Sequence, residues 1–356
     1  MTTREYTRQI CVGGVTVGGG APIKIQSMTT TKTADVESTL AQIIALKNAG
    51  CEIVRVAVAD EADAEAVRLV VQGSPLPVVA DIHFSPSLAV KSIEGGVQKV
   101  RINPGNIGGE ERIRYVADCI KAHKIPVRVG ANTGSIEPNF LRTFGKSAEA
   151  LVESALYNVS ILEKFGVEDI AISVKASSVP MTFNAYMLLA NRTNYPLHLG
   201  VTEAGTTASG IVKSSVGIGA LLLQGIGDTI RVSLTDDPVE EVYAAKRILQ
   251  ACGLVDTYVE VVACPTCGRC EWDSMALARE VADFVLPYQK KAKVAVMGCV
   301  VNGPGEAKDA DLGIAGGKGY CLLFKKGEPY LKVAASEARE TFLKELKGLL
   351  DDGQNG

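Results

Sequence analysis

The chain has 356 residues, 47% of them apolar, and a formal charge of −3. That is more than one ordinary domain needs, and the apolar share can bury a large core. The weak negative charge argues against a nucleic-acid partner. The N-terminus Met1-Thr2-Thr3-Arg4-Glu5-Tyr6 has no apolar signal core, and no run reaches the length of a membrane helix, so a cytoplasmic protein with no membrane partner is expected.

Residues 7–20 alternate and carry glycines at 13, 14 and 18–20, which predicts a small N-terminal hairpin. A repeated unit follows: a short β-rich run, a turn and an amphipathic helix. The runs are Ile23–Met28, Ile53–Val58, Val78–His83, Val100–Asn103, Val127–Ala131, Ile170–Val174, Leu197–Val201 and Ile230–Leu234. Helical patterns lie between them, and the last is Pro238–Gln250. Strand alternating with helix predicts a parallel sheet. Eight such units in about 230 residues predict a closed (β/α)8 TIM barrel over residues 1–250, with an open doubly wound sheet as the alternative. No G-x-G-x-x-G opens the first helix, so a dinucleotide fold has little support.

Polar residues gather near the strand ends: Arg55, Asp81 and His83, Arg101 and Asn103, Arg128 and Asn132, Lys175, Glu203, and Arg231 and Ser233. In several strands they stand two apart and so share one face, whereas Val100, Ile102, Val127, Val129, Ile230 and Val232 between them are apolar and suit a helix-packed outer face. The polar set is therefore expected inside the barrel at the carboxyl ends of the strands, where barrel enzymes keep their sites. Five cations (Arg55, Arg101, Arg128, Lys175, Arg231) face two carboxylates (Asp81, Glu203) there. Like charges crowded in a partly buried space call for counter-charges, and arginine forks fit phosphate oxygens. A substrate with two or more phosphate charges is expected; internal ion pairing is the blander reading. His83 is either a base or a hydrogen-bond donor, while His123 and His198 read as structural or exposed.

After Gln250 the pattern changes. Val255–Ala263 is β-rich, Glu271–Phe284 helical, Lys293–Met297 a strand, and Tyr320–Phe324 with Tyr330–Ala334 a hairpin; Ser336–Leu350 closes as a helix. Residues 251–356 thus read as a small α+β domain, with Gly316-Gly317-Lys318-Gly319 as a mobile turn. Within it lie Cys264-Pro265-Thr266-Cys267 and Cys299-Val300-Val301-Asn302-Gly303-Pro304-Gly305-Glu306. Two thiols two residues apart can bind one metal centre, and a third returns after an apolar strand. Zinc and an iron–sulfur cluster both fit, with Cys270, Cys321 or Glu306 as fourth ligand. A barrel helix runs from top to bottom, so Pro238–Gln250, roughly 20 Å long at 1.5 Å per residue, delivers this domain away from its own polar mouth. A metal centre that serves a barrel mouth would then serve another copy, which predicts a head-to-tail homodimer closed by two-fold symmetry.

These motifs resemble the bacterial 4-hydroxy-3-methylbut-2-enyl diphosphate synthase family of the methylerythritol phosphate route to isoprenoids. The resemblance rests on Cys-Pro-Thr-Cys-Gly-Arg from Cys264, Met-Gly-Cys-Val-Val-Asn-Gly-Pro-Gly-Glu from Met297, Ile25–Thr29, Ala80–Phe84, Arg101–Asn106 and Val201–Gly205, and covers nearly the whole chain in its short form. It implies a 4Fe-4S cluster held by Cys264, Cys267, Cys299 and Glu306, and a dimer in which each cluster caps the partner's barrel. It also implies 2-C-methyl-D-erythritol 2,4-cyclodiphosphate as substrate and flavodoxin or ferredoxin as electron donor. Glu203 and Glu306 are then the expected catalytic groups, and Cys270 stands where the family needs no thiol. The rivals are a non-redox barrel enzyme acting on a phosphorylated metabolite with a structural zinc, and an iron–sulfur carrier or sensor.

Overall fold

The computed structural model describes residues 1–255, 257–301 and 303–351, apart from the side chains of Pro104, Pro304 and Glu306. The chain divides into two compact units, Met1–Cys252 and Gly253–Gly356.

The first unit opens with a hairpin of β1 (Ile10–Val12) and β2 (Val15–Val17), joined at Gly13-Gly14 with φ of +54° and +87°. Two positive φ values in a two-residue loop match the right-handed twist of the strands it joins. Eight strands and their helices follow: β3 (Lys24–Met28), α1 (Val36–Ala49), β4 (Ile53–Ala57), α2 (Glu61–Gly73), β5 (Val78–Asp81), α3 (Pro86–Glu94) and β6 (Lys99–Ile102). Then come α4 (Pro104–Ile107), α5 (Glu110–His123), β7 (Val127–Asn132), α6 (Pro138–Phe144), α7 (Ala148–Lys164), β8 (Ile170–Lys175) and α8 (Val179–Ala190). The unit ends with β9 (His198–Leu199), α9 (Thr207–Leu223), β10 (Thr229–Ile230) and α10 (Pro238–Ala251). The ladder runs β8-β7-β6-β5-β4-β3-β10-β9, and a parallel bridge from Ile172 to Leu197 brings β9 back to β8. The barrel closes, and the open-sheet alternative is set aside.

Short polar caps start many of these helices. Asp35, Asp60, Ser85, Ser147, Ser178 and Asp237 each accept a first-turn amide, and each such cap stabilises its helix by about 1 kcal/mol. On the outer face of the strands Val54, Val56, Val100, Ile102, Val127, Val129 and Ile172 are fully buried. Burying each contributes about 1.5–3 kcal/mol. Inside the barrel the lower layer is also apolar: Ile10, Val12 and Val17 of the hairpin pack on Ile53, Val79 and Ala171. The hairpin therefore plugs the amino end of the barrel and leaves polarity to the other end.

The second unit holds β11 (Val259–Ala263), α11 (Ser274–Phe284), β12 (Ala292–Met297), α12 (Gly303–Glu306), β13 (Leu312–Gly317), β14 (Tyr320–Lys325), β15 (Glu328–Ala334) and α13 (Ala338–Asp351). Its sheet runs β11-β12-β13-β14-β15, with the first three strands parallel and the rest antiparallel. The sequence reading missed β13 and took Gly316-Gly317 for part of a mobile turn. Those glycines end the central strand instead. Gly313 lies against the Phe324 ring and Gly316 against the Trp272 indole, where any Cβ would collide. Glycine in a strand marks such close approach and lowers β propensity, so the pattern hid the strand.

Candidate active site

Alternate residues of the barrel strands converge inside it. Arg101 Nη1 donates to Asp81 Oδ1 at 3.1 Å, and Arg55 Nε lies 3.6 Å from Asp81 Oδ2. His83, above them and more than half exposed, has Nε2 3.7 Å from Asp81 Oδ2 and 3.5 Å from Arg101 Nη1. Burial alone would raise the Asp81 carboxyl, but Arg55, His83 and Arg101 outweigh it and hold it well below the usual carboxylate range. Arg231 donates from Nε and Nη2 to the two oxygens of Glu241 at 3.1 and 3.2 Å, a bidentate pair that α10 completes from outside the strands. Glu241 also accepts from Ser27 Oγ and the Leu234 amide, both at 3.1 Å. Met28 Sδ sits between the two arginines, accepting from Arg55 Nε and Nη2 at 3.0 and 2.9 Å and from Arg231 Nη1 at 3.5 Å.

The remaining cations have no such partner. Arg128 is 1% exposed, Lys99 2% and Lys175 7%, and among the described residues none has a carboxylate within ion-pair distance. Arg128 Nη1 reaches Gln26 Oε1 at 3.5 Å, while its Nε is buried without a partner among the described residues, as are Arg101 Nε and Asn103 Nδ2. Burial first, and then the neighbouring arginines, push Lys99, Arg128 and Lys175 below their ordinary pKa values; burial and Asp81 in opposition leave Arg55 at about 10. A guanidinium does not give up its proton in proteins, so Arg128 stays charged, and an anion is what relieves it. Two glycines make room. A Cβ on Gly130 would lie 2.6 Å from Arg101 Nε, and one on Gly200 would lie 2.6 Å from Lys175 Nζ.

The predicted set is thus gathered for Arg55, Asp81, His83, Arg101, Arg128, Lys175 and Arg231. Asn103 is buried beside them, and Asn132 and Ser233 are half-buried at the carboxyl ends of their strands. Glu203 is different: it is exposed on the loop after β9 with φ +52°, a left-handed conformation that costs a non-glycine residue energy and clusters at functional sites. His198 takes the structural of its two readings, though it stands on the inner face with the cations. It is 1% exposed on β9, its Nδ1 2.8 Å from Thr229 Oγ1 and its Nε2 without a partner among the described residues, and burial with Arg128 nearby lowers its pKa. His123 is exposed. Lys99 and Glu241 were missed. Lys99 stands two residues before Arg101 and shares its face, a signal present in the sequence. For Glu241 nothing local separates it from its neighbour Glu240.

In the second unit, Cys264 follows β11 and Cys299 stands two residues after β12, at the same end of adjacent parallel strands paired Ala263 to Val296. The Gly298 amide donates to Cys264 Sγ at 3.0 Å. A Cβ on Gly298 would lie 3.3 Å from Cys264 Sγ and 3.2 Å from Cys270 Sγ, so a side chain there would crowd the sulfurs by a few tenths of an ångström. Cys270 Sγ is engaged locally, with the Trp272 carbonyl at 3.1 Å and Ser274 Oγ at 3.3 Å. Cys267 is exposed, and hydrogen bonds from the Arg269 backbone and side chain lower its pKa. Cys321 is buried in the apolar core of the sheet, where burial pushes its thiol up to about 11, and it drops out as a ligand. The Glu306 side chain lies outside the described residues. Among the described residues no three cysteine, histidine or acidic side chains stand together as a ready-made metal site. The donors nonetheless suit a thiolate-bound metal centre, cluster iron included: thiols on two loops at one sheet end, an amide aimed at a sulfur, and a glycine beside the sulfurs.

The sequence matches a family model described as the GcpE TIM-barrel domain over residues 7–246 and one described as the GcpE protein C-terminal domain over residues 260–348. It is 52% identical to the 4-hydroxy-3-methylbut-2-en-1-yl diphosphate synthase (flavodoxin) of Desulfotalea psychrophila, across 99% of this chain and 98% of that protein. The protein of the same name from Aquifex aeolicus is also 52% identical, across 99% of both chains. Among solved structures, the Yersinia pestis dihydropteroate synthase superposes with a TM-score of 0.51 at 12% identity, over 69% of this chain and 99% of that one; this likeness concerns the barrel fold alone. With both domain models matched in order and relatives of this identity along nearly its whole length, the chain belongs to the GcpE family.

Proposed function

We propose that the chain is an oxidoreductase that converts 2-C-methyl-D-erythritol 2,4-cyclodiphosphate to 4-hydroxy-3-methylbut-2-enyl diphosphate. Two electrons enter, one carbon–oxygen bond to phosphate breaks and opens the ring, a second carbon–oxygen bond releases hydroxide that leaves as water on taking a proton, and a carbon–carbon double bond forms between the two carbons. The observation that carries this reading is Arg128: charged, 1% exposed, and short of an acceptor at Nε, beside Lys99 and Lys175 that no carboxylate among the described residues balances. The relatives' names supply the reaction class and speak for nothing non-redox, so the structural-zinc alternative finds no support.

In this reading Arg55, Arg101, Arg128, Lys175 and Arg231 hold the two phosphates. Asp81 and Glu241 orient three of those guanidiniums without cancelling the surplus. Asn103, Asn132 and Ser233 give neutral donors at the upper rim, and His83 donates from above Asp81. Glu203, held in its strained loop, gives the proton to the leaving hydroxyl. A 4Fe-4S cluster held by Cys264, Cys267, Cys299 and Glu306 would supply the electrons one at a time. Flavodoxin is the electron donor, with ferredoxin as the alternative, and the enzyme works as a head-to-tail homodimer in the cytoplasm. Among the described residues no helix is long and apolar enough to cross a membrane.

The test is anaerobic iron and sulfide analysis, followed by turnover of the cyclic diphosphate with an artificial reductant. Glu203→Gln should keep the brown colour and substrate affinity while turnover is lost. Colourless, fully active protein would overturn the redox reading, and unchanged turnover of Glu203→Gln would remove that residue from the chemistry.

A further inference from the structure

Two loops at the barrel mouth are tied to one outer helix. Asn158 on α7 is fully buried, and its Nδ2 donates twice: to Glu137 Oε1 at 2.7 Å and to the Ser154 carbonyl of its own helix at 2.8 Å. Both amide hydrogens are then used, which fixes the side chain's rotation. Glu137 lies on the loop after β7, just before α6, and its held oxygen rests on the loop after β6. A Cβ on Gly105 would lie 2.5 Å from Glu137 Oε1. The Gly105 amide in turn donates to Asn103 Oδ1 at 3.2 Å. The Gly105 amide holds the Asn103 carboxamide by its Oδ1, and its Nδ2, buried and without a partner among the described residues, is the group left to donate to a ligand. On its outer side this loop borders a cavity of about 480 Å³ lined by Gly105, Gly108, Gly109, Glu137 and Tyr157. The Glu137 contact therefore supports the loop on that side.

We propose that Asn158 and Glu137 are positioning residues that lock the loops after β6 and β7 together, so that Asn103 Nδ2 points at the substrate's phosphate. The proposal rests on the reading of Asn103 as a substrate contact. A hydrogen bond aimed this way acts on binding, and a displacement of a fraction of an ångström weakens it.

Glu137→Ala and Asn158→Ala, assayed as the reconstituted enzyme, should raise KM for the cyclic diphosphate on the order of tenfold. Turnover should stay within about threefold, because the group acts on bound substrate rather than on the breaking bonds. Glu137→Gln keeps an oxygen in place of Oε1 and should restore the low KM, whereas Glu137→Met, which fills the same space without an acceptor oxygen, should not. Gly105→Ala pushes on the same oxygen while leaving Asn158 itself in place at ordinary contact distance, 3.4 Å from its Oδ1, and should raise KM even where Asn158→Ala does not fold. Asn103→Ala is the reference. If it leaves KM unchanged, the substrate reading of that residue falls and the proposal with it. If it raises KM while Glu137→Ala and Gly105→Ala do not, the positioning role alone is overturned.

Discussion

The barrel mouth and the cysteine loops hold reactive groups in opposite ways. In the barrel, the charged side chains stand on or just beyond strands that pair on both sides, and three of the cations already have partners in place: Asp81 for Arg55 and Arg101, Glu241 for Arg231. In the second unit, Cys264, Cys267 and Cys299 hang from loops beyond β11 and β12, and Cys267 is exposed. A charged anion site must be built before its ligand arrives, because the cost of gathering like charges is met by folding. A metal site can be completed by its metal, since binding free energy then orders the loops. The contrast teaches that, in the proposed reading, the first site is a property of the fold and the second would be completed only by a metal.

Breaking the second site should have the largest effect. Cys299→Ser is expected to abolish turnover and cluster loading, measured as iron per chain, while isothermal calorimetry still finds the substrate in the barrel. Loss of substrate binding in the same variant would mean that the two sites are not separable in this way.

Next in size is Arg128→Met. Removing a buried charge that meets a phosphate should weaken substrate binding by about 2–5 kcal/mol. The substrate-free protein should at the same time melt at a higher temperature, because an uncompensated cation has left the interior. A variant that binds normally, or that melts lower, would contradict a barrel poised for an anion.

A smaller effect concerns pH. The folded pKa of Asp81 lies below its unfolded value of about 3.9, so its ion pairs add stability above that pH, and the gain is lost as pH falls through the folded value. Asp81→Asn should therefore lower the urea midpoint near neutral pH, with the difference from wild type shrinking below about pH 4. An equal difference at pH 7 and pH 3 would remove the ionised carboxylate as its cause. The smallest effect should come from Cys270→Ser. Its thiol is spent on Trp272 and Ser274, so iron content should not change; a fall in iron would promote Cys270 to the ligand set.

Much of this molecule was legible before folding was considered. Every barrel strand appears within a few residues of where its β-rich run stands, because period-two faces and capped helices are local signals. The inward set from Arg55 to Arg231 followed from the same alternation. The misses have different causes. Lys99 shares the face of Arg101, and the alternation was there to be read, whereas His198 is a single polar residue in a short strand, which does not announce which side is in. Strand β13 was hidden by the glycines that let Phe324 and Trp272 lie flat on it.

Residue order alone established the repeating unit, the surplus of buried positive charge and the spacing of the thiols, since each depends only on neighbours along the chain. Folding in three dimensions chose Glu241 rather than Glu240 as the partner of Arg231, placed Met28 between two guanidiniums, and brought Glu137 against Gly105. Those contacts join residues from separate strands, loops and helices. Only packing, which brings distant segments within 3–4 Å while excluding water, decides which of several chemically equivalent side chains meet.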